Sequence, residues 1–154
     1  MKSNEYSISA TELAEILKTV ISKKASLRFQ VKGFSMSPFI RNSDVITISP
    51  LSDFVKCLGR SVAFIDLKTK KLIIHRIVGK KGDCYLAKGD SSFTPDGLIP
   101  KESILGIVTK IERNDRKVIF GLGIERFLIT FLSKNRIISL LLRIWRLVPL
   151  SVRR

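Results

Sequence analysis

A chain of 154 residues is long enough for one domain with a real core and too short for two comfortable ones. An apolar content of 45% excludes disorder as the default reading, and two cysteines exclude a disulfide framework. The formal charge of +15 favours an anionic partner, either nucleic acid or a phospholipid surface.

Met1 to Ser9 is polar, without the apolar run of a secretory leader or membrane anchor. The first predicted element is a helix, which makes residues 1–25 a unit that packs on the body of the domain. Ser9 and Glu12 have the spacing of a capping box. Leu13, Ile16, Leu17, Val20 and Ile21 then recur at helical spacing as one apolar stripe. Lys23 and Lys24 suit the negative end of the helix dipole.

From residue 26 to 113 the pattern is that of an antiparallel, mainly β body. Leu27, Phe29 and Val31 alternate with Arg28, Gln30 and Lys32, as on a half-buried strand. Further β-branched runs cover Val45–Ile48, Ser61–Asp66, Lys71–Val78, Cys84–Ala87 and Ile104–Ile111. Gly59, Lys68–Lys70, Gly79–Asp83 and Pro95-Asp96-Gly97 supply the turns. Cys57 and Cys84 read as free thiols. No metal-ligand spacing surrounds them, so neither a metal nor another cofactor is expected.

Residues 114–154 return to a helical pattern and form a basic amphipathic tail. Residues 113–154 carry ten Lys/Arg and two acids. Arg136, Ser139, Arg143 and Arg146 fall three or four apart as a polar stripe. Ile137, Ile138, Leu140, Leu141, Leu142, Ile144, Trp145 and Leu147 fill most of the remaining circumference, and Pro149 ends the pattern. A wide apolar face with Trp and a narrow Arg stripe suits an anionic membrane surface. Docking onto a partner protein would leave the same pattern. No stretch reaches the roughly eighteen uncharged apolar residues of a membrane span. Ile137–Leu142 comes nearest, and Arg143 interrupts it. The expectation is therefore peripheral membrane association, on a face the sequence does not name.

The chemistry centres on Gly33-Phe34-Ser35-Met36-Ser37-Pro38. A strand ends at Lys32, and a serine sits on the turn beyond it. Such a turn can expose a hydroxyl and aim backbone N–H groups at one spot, the requirements for a nucleophile with an oxyanion site. Taken alone, a serine in such a loop is usually a turn residue. His75 is the only histidine. An imidazole can take the hydroxyl proton at neutral pH and return it to a leaving amine, although a lone histidine is more often structural. A carboxylate would have to hold the other ring nitrogen, and Asp90 and Asp96 are the candidates. Turn chemistry is the alternative role for both.

These segments resemble the signal peptidase I superfamily, in particular its endoplasmic-reticulum-like branch with a histidine base. That family has a Gly-x-Ser-Met-x-Pro nucleophile box, matched by Gly33, Ser35, Met36 and Pro38. An acid before a strand is matched by Asp44. A His-Arg-hydrophobic-hydrophobic box is matched by His75–Val78, and a Lys-Gly-Asp box with a second Asp six residues on by Lys88-Gly89-Asp90 and Asp96. A glycine before the closing strand corresponds to Gly106. The match runs from about Leu27 to Ile111, with the boxes in family order. The family's Gly-Asp pair reads Ser43-Asp44 here, and Gly33 offers only a backbone N–H for an oxyanion.

The resemblance implies a signal peptidase/LexA-like β fold and a serine endopeptidase that takes an extended peptide along a strand edge. It makes Ser35 the nucleophile, His75 the base, Asp96 the group that orients the imidazole and Asp90 a supporting acid near it. Gly33, Met36 and Pro38 become the oxyanion and substrate-binding positions. The substrate is a leader, signal or precursor peptide. A peptide-binding module of a membrane-associated complex, impaired in catalysis, is the competing function. A DNA-binding regulator like the LexA-like autocleaving repressors would need a separate helix-turn-helix domain, for which one N-terminal helix leaves no room. Nucleic acid is therefore not expected as a partner.

Overall fold

The structure is a computed structural model that describes residues 8–52 and 57–147. Helix α1, Ala10–Ser22, begins at the capping box: the Ser9 N–H donates to Glu12 Oε2 at 2.8 Å, and the Glu12 N–H to Ser9 Oγ at 3.2 Å. Its buried face is Ala14 and Leu17, with Ile21 packed alongside. Ile16, which spacing alone places on that stripe, is exposed. The inward line runs through positions 14, 17 and 21, and Ile16 falls on its flank.

Eight strands follow among the described residues: β1 Leu27–Gln30, β2 Val45–Pro50, β3 Ser61–Ile65, β4 Leu72–Lys81, β5 Cys84–Lys88, β6 Gly97–Pro100, β7 Ile104–Arg113 and β8 Arg116–Val118. All pair antiparallel in one sheet, in the order β1-β2-β7-β3-β4-β5-β6, with β8 on β7. Extra residues at Thr109, Leu105 and Val78 bulge the ladders and sharpen the local twist. Both faces of the central strands are covered. Leu17, Met36, Ile46, Ile48, Ala63, Val108 and Ile111 form one core. Val62, Phe64, Ile77, Tyr85, Ala87 and Ile104 form the other. Adjacent Val62, Ala63 and Phe64 alternate between the two, as the pleat requires.

The sheet is more extensive than the sequence pattern suggests. Gly79–Asp83 is not all turn: β4 continues to Lys81, and the hairpin closes at Gly82 and Asp83. The helical tail does not begin at 114. Asn114 and Asp115 have φ of +49° and +59°, both central positions of a two-residue hairpin turn, and they return the chain as β8. Helices α2, Arg126–Lys134, and α3, Ile137–Leu147, follow. Arg136, at φ +62°, breaks the run between them. Pro149 and the Arg146 side chain lie outside the described residues. No helix among the described residues is long and apolar enough to cross a membrane.

Candidate active site

The loop that carries Ser35 leaves β1 and returns into β2, and its two ends are stapled together. Val31 and Asp44 are joined by a hydrogen bond from the Val31 N–H to the Asp44 carbonyl at 2.9 Å, and the Ser43 N–H donates to the Val31 carbonyl at 2.9 Å. Ser43 stands at φ +70°, the left-handed conformation that a glycine would adopt more readily. Asp44 is buried, and its carboxylate accepts from the Arg41 N–H at 2.7 Å and from Arg113 Nε and Nη2, each at 2.8 Å. Burial pushes the Asp44 carboxyl up, but the hydrogen bonds from Arg113 and from the Arg41 N–H outweigh it and hold it below its ordinary value. Asp44 thus anchors the base of the Ser35 loop.

His75 lies on β4, opposite Val62 of β3. Pairing with β5 begins only at Arg76, so among the described residues Leu72–His75 have a partner strand on one side alone. The His75 ring is buried, edge-on to Phe64 at 6.4 Å. Its Nδ1 pairs with Asp96 Oδ2. That pairing fixes the tautomer, with Nδ1–H donating and the Nε2 lone pair free to accept. Asp96 is delivered by the loop after β5, whose return is set by the Asp96 N–H donating to the Ala87 carbonyl at 2.9 Å.

The β5–β6 loop also reaches the Ser35 loop. The Ser91 N–H donates to the Ser35 carbonyl at 2.9 Å, and the Ser91 hydroxyl lies 3.0 Å from that carbonyl and 2.9 Å from the Phe34 carbonyl. Gly89 shows how tightly the segments meet. A Cβ there would stand 2.6 Å from Ser92 Oγ, 2.8 Å from the Ser35 carbonyl oxygen and 3.0 Å from His75 Nε2. No side chain fits, so glycine is required by close approach. Ser35 and His75 line one groove of about 680 Å³, with Gln30 and Lys32 on one wall and Leu72 and Ile73 on the other.

Asp90 is placed elsewhere. It is fully buried and pairs with Arg76, at 2.9 Å from Nε to Oδ1 and 2.8 Å from Nη2 to Oδ2. Arg76 Nη1 donates to the Gly59 carbonyl at 2.7 Å and lies 3.4 Å from the Gly121 carbonyl, and the guanidinium sits 5.5 Å over the Phe39 ring. A bidentate pair sealed in this way is a clamp on the loop rather than a second acid beside the imidazole. Lys88, also buried, points Nζ at Ser133 Oγ of α2, 3.3 Å away, and burial pulls its ammonium below the ordinary lysine value.

The substrate-side positions divide. Gly33 lines the groove at φ +118°, but its N–H already donates to Asn42 Oδ1 at 3.0 Å. It is therefore not an open oxyanion donor. Among the described residues the Ser35 and Met36 N–H groups have no hydrogen-bond acceptor. The Met36 side chain is in the core and forms part of the groove wall. Pro38 faces another cleft, of about 460 Å³, shared with Phe39 and α3. Gly106, expected before the closing strand, lies within β7, where a Cβ would meet the Ser49 carbonyl oxygen at 2.5 Å.

The roles of Ser91, Gly89 and Arg113 are not apparent from the sequence. The only local hint is the Ser91-Ser92 pair beside an acid, which marks a loop rich in local hydrogen bonding. Among the described residues no group of three His, Cys, Asp or Glu side chains is arranged to hold a metal ion. No protein-family profile, no curated protein and no solved structure matches the chain.

Proposed function

We propose that the chain is a serine endopeptidase of the signal peptidase type, cleaving a leader, signal or precursor peptide. One observation carries this reading: the only histidine presents an Asp-held imidazole beside the Ser35 backbone, in a groove that Ser35 also lines. An extended peptide would lie along the open edge of Leu72–His75. Ser35 Oγ attacks the scissile carbonyl and its proton passes to His75 Nε2, while Asp96 holds Nδ1–H. The oxyanion faces the Ser35 and Met36 N–H groups. Collapse breaks the C–N bond as His75 protonates the leaving amine. Water, deprotonated by the same imidazole, then hydrolyses the acyl-serine and regenerates the hydroxyl.

A second reading is a peptide-holding module without catalysis. It is favoured by one feature: the Ser35 hydroxyl has no hydrogen bond to the imidazole among the described residues. Catalytic hydrogen bonds often form only with substrate present. A fluorophosphonate probe separates the readings. Labelling of wild type at Ser35, lost in Ser35→Ala and strongly reduced in His75→Ala, is expected for the peptidase, together with loss of peptide cleavage in both variants. An unlabelled wild type, or cleavage retained by Ser35→Ala, overturns it.

A further inference from the structure

The two C-terminal helices are amphipathic in the reverse sense. A surface helix of a protein in water turns its apolar stripe to the core and its polar face outward. Here the buried face is mixed, with Thr130, Ser133 and Ser139 beside Ile129 and Ile138, while most of the large apolar side chains point outward. Ser133 Oγ meets the buried Lys88 Nζ, and the Ser139 hydroxyl donates to the Ser92 carbonyl at 2.6 Å. Outward stand Leu128, Phe131, Leu140, Leu141, Ile144 and Trp145, each more than half exposed. The patch is continuous with the rest of the surface. Phe39 lines the apolar cleft beside Leu141 and Trp145 and is 5.7 Å from the ring of exposed Phe120. A patch of this kind marks an interaction surface.

Charge identifies the occupant. Neither helix contains an acid, while Lys134 and Arg143 are exposed on them and Arg136 is exposed between them. Ahead of Ile119 and Phe120 stand exposed Arg116 and Lys117. Apolar side chains bordered by cations match acyl chains beneath anionic headgroups, with indole at the boundary. At 1.5 Å per residue the 11 residues of α3 extend roughly 16 Å, about half of a hydrocarbon core. A helix of this length can lie in a leaflet and is too short to span the whole hydrocarbon core.

We propose that α2 and α3 form a membrane-docking foot that inserts its apolar face into an anionic phospholipid leaflet. The polar faces of the helices keep their contacts with the loop that carries Asp90 and Asp96. The proposal does not rest on the peptidase reading, and Ser35→Ala should bind vesicles as wild type does.

Trp145 is the only tryptophan, so its emission reports on the foot alone. The full chain is mixed with phosphatidylcholine vesicles with and without phosphatidylglycerol. Co-sedimentation with the anionic vesicles is expected, weakened by salt, with a blue-shifted Trp145 emission that acyl-brominated lipid quenches. Leu141→Asp and Ile144→Asp, at exposed positions, should lower partitioning by about tenfold or more and abolish the shift, with circular dichroism unchanged. A Trp145 spectrum insensitive to anionic vesicles overturns the proposal. So does a dimer in sedimentation equilibrium that Leu141→Asp dissociates, since the face would then serve a second copy.

Discussion

Asp90 and Asp96 stand six residues apart on one loop, and the structure gives them different work. Asp90→Ala would leave the Arg76 guanidinium buried with no counter-charge, although its Nη1 would still reach the Gly59 carbonyl. Breaking a buried pair from one side costs about 3–5 kcal/mol. That is a large part of the roughly 5–15 kcal/mol by which a domain is stable. For a chain of this size it corresponds to a melting temperature lower by roughly 10 °C. Asp96→Asn alters a partly exposed side chain and should stay within about 1 kcal/mol of wild type. Cleavage in that variant should nevertheless fall on the order of 10²–10⁴-fold, because the imidazole loses the partner that fixes its tautomer. Urea denaturation and peptide cleavage, measured on both variants and on Arg76→Met/Asp90→Leu, make the comparison. The double variant removes both charges and should regain most of the lost stability. If Asp90→Ala proves as stable as wild type while cleavage is lost, Asp90 is an acid of the chemistry and the clamp is wrong.

Gly89→Ala tests the junction of the three segments. The added methyl meets the Ser35 carbonyl oxygen and His75 Nε2 at 3.0 Å or less, so the segments must part. The expected result is about 1–3 kcal/mol of destabilisation with a loss of cleavage near 10²-fold, checked by melting and steady-state rates. Lys88 gives a pH test. Burial lowers its folded-state value below 10.5, so between the two values the unfolded chain binds the extra proton and stability rises with pH. Lys88→Met should therefore be more stable than wild type at pH 7, and the gap should close as pH climbs toward 10.5. A gap that is constant with pH, read from urea midpoints, would show that the charge state of Lys88 plays no part.

The elements that rest on local chemistry were legible in the sequence. The Ser9–Glu12 box sets the start of α1, and alternation over Leu27–Gln30 and the β-branched run Val45–Ile48 mark β1 and β2. What escaped depends on turn conformation or on distant partners. Asn114-Asp115 reads as the start of the helical tail, yet two positive φ values make it a hairpin turn and add a strand. For the site, Ser35, His75 and the two candidate acids Asp90 and Asp96 are readable from residue type, and the preference for Asp96 comes from the resemblance. The divergence of Asp90 is not readable, because Arg76 competes for it across the strand and supplies a bidentate fit an imidazole cannot match. Pro38 escaped likewise, since its neighbours on α3 lie a hundred residues away in sequence.

Three polar ties, rather than apolar packing, set the site. Asp44–Arg113 closes the Ser35 loop, Asp90–Arg76 holds the β5–β6 loop, and Ser91 joins the two at the Ser35 carbonyl. Apolar contacts tolerate small slips, but a bidentate carboxylate–guanidinium pair has one good geometry, so such pairs fix register where a shift would part hydroxyl from imidazole. Arg76 extends the same logic outward. Its Nη1 approaches the carbonyl of Gly121, on the connection into α2, while Ser139 of α3 holds the Ser92 carbonyl and Arg143 lies 4.9 Å over the Phe93 ring. The loop bearing Asp96 is therefore bound on one side to the sheet and on the other to the helices proposed to meet lipid. The contacts of the sheet and of the helices thus meet on the loop whose Asp96 pairs with His75.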